Sequence, residues 1–326
     1  MPSPLELARR GDQHAFDALV GPYRTELQVH CYRMLGSLQD AEDVTQETLL
    51  AAWTGLAEFE ARSSVRTWLY RIATNRCLNH RRSATRRPQP TLPAGVPAPA
   101  SLGEVAWLQP FPDALLDAVP DRRPGPEARY ESREAITLAF VTAMQQLPPR
   151  QRATLILRDV LGYPAKDTAE MLDITVVAAN NALKRARATL RRSSPPIPDT
   201  PSKEDEALLE RFVDAFLAFD VDAMVDLMSD DVWLTMPPAP YEYHGRDAAH
   251  RFFSALAADR QPIALAVPTR ANTQPAWGHY HADPATGLLH LAAVEVVAVR
   301  GGLVSALTRF EPEVGRWFGL APTLRP

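Results

Sequence analysis

Apolar positions recur at helical spacing through roughly the first 190 residues of the chain, and strand-like apolar runs take over beyond about residue 230. Leu7, Phe16, Leu19, Val20 and Tyr23, followed by Leu27, Cys31 and Leu35, predict two helices across residues 5–35, with a turn at Gly11-Asp12 and a stop at Gly36-Ser37. An acidic helix comes next, in which Val44, Leu49 and Trp53 turn toward a core while Asp40, Asp43, Gln46 and Glu47 stay outside. After a break at 60–64 a basic helix begins at Val65. Its Leu69, Ile72, Ala73 and Cys77 share one side, and Arg71, Asn75, Asn79 and Arg82 share another. A further helical module opens with Ile136, Phe140, Ala143 and Leu147 and is stopped by Pro148-Pro149. It resumes as a helix over 150–161, turns at Gly162-Tyr163-Pro164, and runs as a short helix through Leu172. A tight turn at Asp173-Ile174 and an N-cap at Thr175 then start a last helix to about Leu190, which completes a helix-turn-helix pattern.

The C-terminal part reads differently. A helix over 203–219 carries Leu208, Phe212, Ala215 and Phe219 on one face, and a shorter helix covers 220–228. A strand over 231–236 ends at Pro237-Pro238, and a third helix spans 245–257. Strand-like runs follow at 263–268, 276–281, 288–299 and 303–310, with Gly301-Gly302 as a hairpin turn. Helices first and antiparallel strands afterwards predict an α+β domain, a curved sheet wrapped round its helices.

Two stretches interrupt these patterns. Pro88, Pro90, Pro93, Pro97 and Pro99 fall in quick succession, so this part should be extended. An island at 107–117 carries Trp107, Leu108, Phe111, Leu115 and Leu116, which a solvated linker has little reason to hold; docking on a neighbouring domain is expected, with Trp107, Phe111 and Leu115 as an interdomain clasp. A second linker covers 193–202. The expected division is a multidomain chain: an all-α module over 1–87, a linker over 88–129, a helix-turn-helix module over 130–193, a linker over 194–203, and the α+β domain over 204–326.

Composition narrows the function classes. Hydrophobic residues at 46% and charged residues at 23% of 326 describe globular protein, and no apolar run approaches a membrane span. The first residues lack the basic start and apolar core of a signal peptide. Cys31 and Cys77 alone make neither a disulfide framework nor a zinc site, so the expected compartment is the reducing cytoplasm, with no metal and no cofactor. A net charge of −4 would disfavour nucleic acid as a partner, but the positive charge is concentrated. Residues 61–87 contain no Asp or Glu and include Arg62, Arg66, Arg71, Arg76, Arg81, Arg82, Arg86 and Arg87; a second stripe runs from Lys184 through Arg185, Arg187, Arg191 and Arg192. Local stripes are the relevant electrostatic footprint. A row of Arg and Asn can contact phosphates through guanidinium forks and base edges through paired amide donors and acceptors; a solvated arginine-rich surface is the plainer alternative.

In the C-terminal domain, Asp230, Asp231, His244, His250, His279 and His281 are candidates for acid–base work, although neither a pocket nor a shifted pKa is visible in sequence. His279 and His281 share a strand face without an evident third metal ligand. Trp233, Met236, His244, Phe252, Phe253 and Trp277 could line a pocket for a small apolar ligand or simply fill the core.

Three stretches of the N-terminal part, Asp40-Ala41-Glu42-Asp43-Val44-Thr45-Gln46-Glu47, Arg66-Thr67-Trp68-Leu69-Tyr70-Arg71-Ile72-Ala73-Thr74-Asn75 and Leu147-Pro148-Pro149-Arg150-Gln151-Arg152 through Arg187, resemble the extracytoplasmic-function (ECF) sigma factors of bacterial RNA polymerase, over about residues 5–192. Residues 204–326 resemble the SnoaL-like cone fused to a subset of them, on Asp231 to Met236, Phe252-Phe253 and Val267-Pro268-Thr269-Arg270-Ala271-Asn272-Thr273-Gln274-Pro275-Ala276. The resemblance implies core RNA polymerase and promoter DNA as partners, no membrane, no catalysis, and regulation by the chain's own C-terminal domain; a small-molecule sensor or a residual isomerase or hydrolase is the alternative for that domain. It implies polymerase binding by Asp40, Asp43, Gln46 and Glu47, and −10 recognition by Arg62, Ser63, Arg66, Trp68, Arg71, Asn75, Asn79 and Arg82, with 63–65 in a base-capturing loop. It places −35 recognition at Thr175, Asn180, Asn181, Lys184, Arg185 and Arg187. Thr175-Val176-Val177-Ala178-Ala179 departs from the pattern, being more apolar than the start of such a helix should be.

Overall fold

The structure is a computed structural model and describes residues 2–80, 96–99, 101–102, 108–117, 135–193, 203–257 and 262–325. The chain forms two compact units. One gathers Met1–Arg86, Ala114–Ile136 and Phe140–Pro195; the other gathers Arg87–Asp113, Thr137–Ala139 and Pro196–Pro326.

The first unit is helical. Helices Pro4–Arg9, Gln13–Val20, Arg24–Leu35, Leu38–Gly55 and Val65–Asn79 form its first half, and a side-chain cap fixes every start except that of Arg24–Leu35. Ser3 and Glu6 close a capping box, Ser37 caps the acidic helix through Asp40 N, and Ser64 caps the basic helix through Thr67 N at 3.1 Å. Gly36 ends the helix Arg24–Leu35 at φ 73°, a conformation a side chain resists, and the space its Cβ would need is taken by Gln145 at 2.9 Å. The second half holds Leu138–Gln145, Pro149–Leu155, Ala165–Leu172 and Val176–Ser193. The single helix predicted over 150–161 widens into a π-helical segment, Ile156–Val160, before the turn. Asp173 makes the following turn in the left-handed region, which Asp tolerates, and Thr175 Oγ1 accepts from Ala178 N at 3.1 Å as the predicted cap. Cys31 and Cys77 are both buried free thiols.

The halves of this unit meet through buried polar contacts. Arg152 donates to the carbonyl of Met34, to Gln145 Oε1 at 2.6 Å and to the Gln145 and Leu147 carbonyls, so it satisfies the orphan acceptors of two helix ends at once. Arg33 Nε donates to Ala135 O at 3.0 Å, and Gln145 Nε2 donates to Arg33 O at 3.3 Å.

The second unit is built on one eight-stranded sheet. In chain order its strands are β1 (Ser101–Leu102), β2 (Met228–Met236), β3 (Ala239–His244), β4 (Ile263–Ala271), β5 (Gln274–Ala282), β6 (Leu289–Arg300), β7 (Leu303–Phe310) and β8 (Thr323–Leu324). The order is β1-β3-β2-β7-β6-β5-β4, with β8 against β6. The expected antiparallel run holds from β4 to β7, whereas β2 and β7 pair in parallel because the chain crosses between them through the helix Arg246–Ala257. Helices Lys203–Ala218 and Arg246–Ala257 supply Leu208, Phe212, Phe216, Phe252 and Phe253 to a core shared with Trp277, Val297, Val299 and Leu307.

β1 was not visible in sequence. It comes from the proline-rich linker and lies antiparallel to β3, with Ser101 opposite Glu242 and Leu102 opposite Tyr241. The linker residues Ser101 and Leu102 are therefore part of this unit's sheet.

Candidate nucleic-acid interface

The acidic helix Leu38–Gly55 buries Ala41, Val44, Thr45, Thr48, Leu49 and Ala52, which turns Asp43, Gln46 and Glu47 to the surface; Asp40 is half-buried. Leu50, 65% exposed, lies among them and adds an apolar centre to the charged rim. Glu47 sits 4.0 Å from Arg76, and His80 3.9 Å from Asp40, so the acidic and basic helices also touch each other.

The basic helix Val65–Asn79 seats Leu69, Tyr70, Ala73, Thr74 and Cys77 in the core. Its polar residues divide. Arg66 grips the buried carboxylate of Glu26 with Nε at 3.0 Å and Nη2 at 3.1 Å, lies 4.6 Å over the ring of Tyr70, and donates to Tyr163 Oη at 3.3 Å. Asn75 Nδ2 donates to the Met171 carbonyl at 3.4 Å, so the middle of the Arg71–Asn75–Asn79 row rests on the helix-turn-helix, while Arg71 and Asn79 are exposed. Trp68 stacks on Phe59 with ring centres 4.6 Å apart. Arg62 and Ser63 are exposed in the turn before the helix, with Arg62 2.6 Å from Glu60. Arg82 lies outside the described residues. Beneath the helix, His30 Nε2 and Thr74 Oγ1 meet at 2.9 Å; burial, reinforced by Arg33 and Arg66, pushes the imidazole pKa down to about 3.

On the helix Val176–Ser193, Ala179, Ala182, Leu183 and Ala186 are buried, and Asn180, Asn181, Lys184 and Arg185 are exposed. Arg187 is also exposed, but a two-pronged contact at 2.8 and 2.6 Å ties it to Asp159. Thr175 spends its hydroxyl on the cap. Sequence reasoning placed this helix and its polar residues together, and it could not see which arginines already have partners.

In the second unit a strap from the linker docks on the β4–β5 hairpin. Phe111 is fully buried, its N–H donates to Asn272 Oδ1 at 2.7 Å, and its carbonyl accepts from Asn272 N at 2.8 Å. The Asp113 carboxylate accepts from Thr273 N at 2.7 Å and from Arg270 Nε at 3.1 Å. Tyr243 Oη donates to Pro97 O at 2.9 Å. Asn272 and Thr273 both have positive φ, the form a two-residue hairpin turn requires. A β-branched residue resists that conformation, and the Asp113 carboxylate on its N–H holds it in place. Of the residues predicted for the clasp, Phe111 is buried against the hairpin of its own unit, Leu115 is half-buried, and Trp107 lies outside the described residues.

The predicted pocket residues Phe252, Phe253 and Trp277 are buried members of the apolar core, and Met236 packs against it. Trp233 and His244 are half-buried with ring centres 3.5 Å apart. Asp231 is a poor general base, since hydrogen bonds from Arg300 at 2.5 Å and from Ser229 hold its carboxyl below the usual range. Asp230 lies beside Arg246 and His250 beside Asp222, both on the surface. The perturbed carboxylate is one that sequence reasoning missed: Glu295, the lone acid inside the apolar strand β6, whose pKa burial raises to about 7. It lies 3.5 Å from His279, which burial holds near pKa 3; Trp277 Nε1, His279 Nδ1 and Glu295 Oε2 have no protein hydrogen-bond partner. No group of three or more His, Cys, Asp or Glu among the described residues could hold a metal, and no described helix is long and apolar enough to cross a membrane.

Family models for sigma-70 region 2, sigma-70 region 4 and a SnoaL-like domain match residues 19–87, 137–190 and 209–307. The chain is 44% identical over 252 residues to the ECF RNA polymerase sigma factor SigG of Mycobacterium tuberculosis; the alignment takes in 74% of this chain and 65% of that protein, just under two thirds of its length. It is 32% identical over 193 residues to the RNA polymerase sigma-H factor of Pseudomonas aeruginosa, across 59% of this chain and 93% of that one. The crystal structure of the Mycobacterium tuberculosis extracytoplasmic function sigma factor SigJ matches with a TM-score of 0.64 at 23% identity, across 94% of this chain and 99% of that one, a likeness of fold.

Proposed function

The chain belongs to the extracytoplasmic-function RNA polymerase sigma factors, and from that premise we propose that it directs core polymerase to promoters in the cytoplasm under the control of its own SnoaL-like domain. In this reading the acidic helix, with Asp43, Gln46, Glu47 and Leu50 outward, docks on polymerase. The helix Val65–Asn79 reads the −10 element, and the helix Val176–Ser193 reads the −35 element in the major groove. The reading assigns the chain no catalysis.

The observation that carries the control is the strap. The segment joining the two DNA-reading modules contributes a strand, a buried Phe and an ion-paired Asp to the C-terminal domain. A domain that holds this linker sets how far the modules can separate. They must separate, because −10 and −35 elements lie about 25 base pairs apart, on the order of 85 Å of duplex. Here the two helix-turn-helix-side contacts of the basic helix, Asn75 to Met171 and Arg66 to Tyr163, bring the modules together. The described arrangement is thus a closed form, and release of the strap is a route to the open one.

Phe111→Ala and Asn272→Ala in the full chain test this. Run-off transcription with core polymerase should change by severalfold in the same direction for both, and proteolysis should cut the linker faster. Removing a buried Phe costs on the order of 3–5 kcal/mol, enough to undock a strap. Faster cleavage with unchanged transcription would sink the control reading while leaving promoter direction intact. A small-molecule role for the domain has one observation in its favour, the three unpartnered buried atoms of Trp277, His279 and Glu295. Mass spectrometry of protein purified from its host would test that role.

A further inference from the structure

The outward face of the helix Val176–Ser193 is polar except where it begins. The buried stripe Ala179, Ala182, Leu183 and Ala186 fixes the helix's rotation. At about 100° per residue the opposite face runs through Val177, Asn181 and Lys184. Val177 is 69% exposed and Val176 41% exposed, two of the four large exposed hydrophobic residues among the described ones. Folding does not explain them. A β-branched side chain loses freedom in a helix, the cap is already supplied by Thr175, and the exposed valine surface stays in water.

The helix carries no acid and exposes Lys184, Arg185 and Arg191, which suits a polyanion. In a helix-turn-helix the first residues of the second helix meet base edges in the major groove. The apolar group that groove offers is the thymine C5-methyl. We propose that Val177, flanked by Val176, reads thymine methyls in the upstream promoter element, with Asn181 one turn on placed for an adenine edge and Lys184 for a phosphate. The apolar start that departs from the family pattern is then a specificity device: it favours A·T pairs at the bases facing that turn. This rests on residues 137–190 acting as the −35 module in the function proposed above.

The test uses holoenzyme assembled from core polymerase and the full chain. Duplexes with a randomised upstream element are selected for binding and sequenced. Each thymine of the selected element is then replaced by uracil, which removes the methyl and keeps the hydrogen-bonding edge. At one or more positions the replacement should weaken binding about fourfold, the value of one buried methyl. In Val177→Ala the thymine duplex should be weakened by a similar factor, and uracil should cost little more. Failure to enrich any upstream element overturns the −35 reading itself. Enrichment of an element whose thymines tolerate uracil, or a uracil effect as large in Val177→Ala as in the wild type, overturns the methyl contact alone. Val177 is exposed and Ala is a better helix former, so the variant folds.

Discussion

The two basic helices carry the same signature, rows of Arg and Asn without an acid, and the structure uses them in opposite ways. In Val65–Asn79 the row is partly spent inside the protein: Arg66 on Glu26, Tyr70 and Tyr163, and Asn75 on the Met171 carbonyl. In Val176–Ser193 the outer face stays exposed, and Arg187 alone of its predicted DNA-facing cations is tied, to Asp159. Charge along a sequence therefore marks a capacity. Burial decides whether an arginine is a strut or stays available for a contact: Arg66 is held by Glu26 and Tyr70 of its own half as well as by Tyr163.

The sharpest break of this comparison is Arg66→Ala. Glu26 is buried and would lose the guanidinium that pairs with it among the described residues. Breaking a buried pair costs about 3–5 kcal/mol; Arg66 is over a quarter exposed, so about 2–3 kcal/mol of stability should be lost. Urea unfolding monitored by circular dichroism measures it. A loss below about 0.5 kcal/mol would return Arg66 to the surface class with Lys184.

A smaller effect separates the helices by pH. His30 supports the first helix through Thr74, and its folded pKa lies near 3, below the ordinary value of 6.5. Above pH 6.5 neither state binds the proton. As pH falls from 6.5 toward 3 the unfolded chain takes up a proton that the folded chain refuses, so stability is lost in that window, by at most about 1.4 kcal/mol per pH unit. The stability gap between wild type and His30→Asn should narrow between pH 7 and pH 5, read from thermal unfolding. An unchanged gap would show that His30 does not titrate in this way.

The helical modules were legible because period and punctuation agree: the basic helix begins at Val65 after the break at 60–64, Thr175 caps where the sequence places a cap, and Pro148-Pro149 stops where prolines must. The Phe111 island was legible as docked because apolar residues in a proline-rich run need a partner. What it docks on was not legible, because the β4–β5 turn with its positive-φ Thr273 is made by long-range contact. The parallel β2–β7 pairing escaped for the same reason, since period shows a strand and not its neighbour. Among the candidate pocket residues, an aromatic at strand or helix spacing reads alike whether it lines a cavity or fills a core, and Phe252, Phe253 and Trp277 fill it. Glu295 stood in plain view as one acid in an apolar strand, and its burial was the missing fact.

The smallest expected effect is the most specific to the exposed helix. Arg185 is exposed, so Arg185→Ala should change stability by no more than about 0.5 kcal/mol. If it contacts a phosphate, its loss should lower the slope of log affinity against log salt by about one, and should weaken binding evenly across upstream sequences. Arg187→Ala serves as the internal control. Its guanidinium must first leave Asp159, and part of its electrostatic gain on DNA is offset by the pair it gives up. The slope change for Arg187→Ala should therefore match that of Arg185→Ala, since both release one counterion's worth of charge, while its loss of affinity at any one salt concentration should be smaller. Equal losses in affinity would mean that the Asp159 pair contributes nothing in solution, as many exposed ion pairs do, and the line between strut and contact would then fall at burial alone.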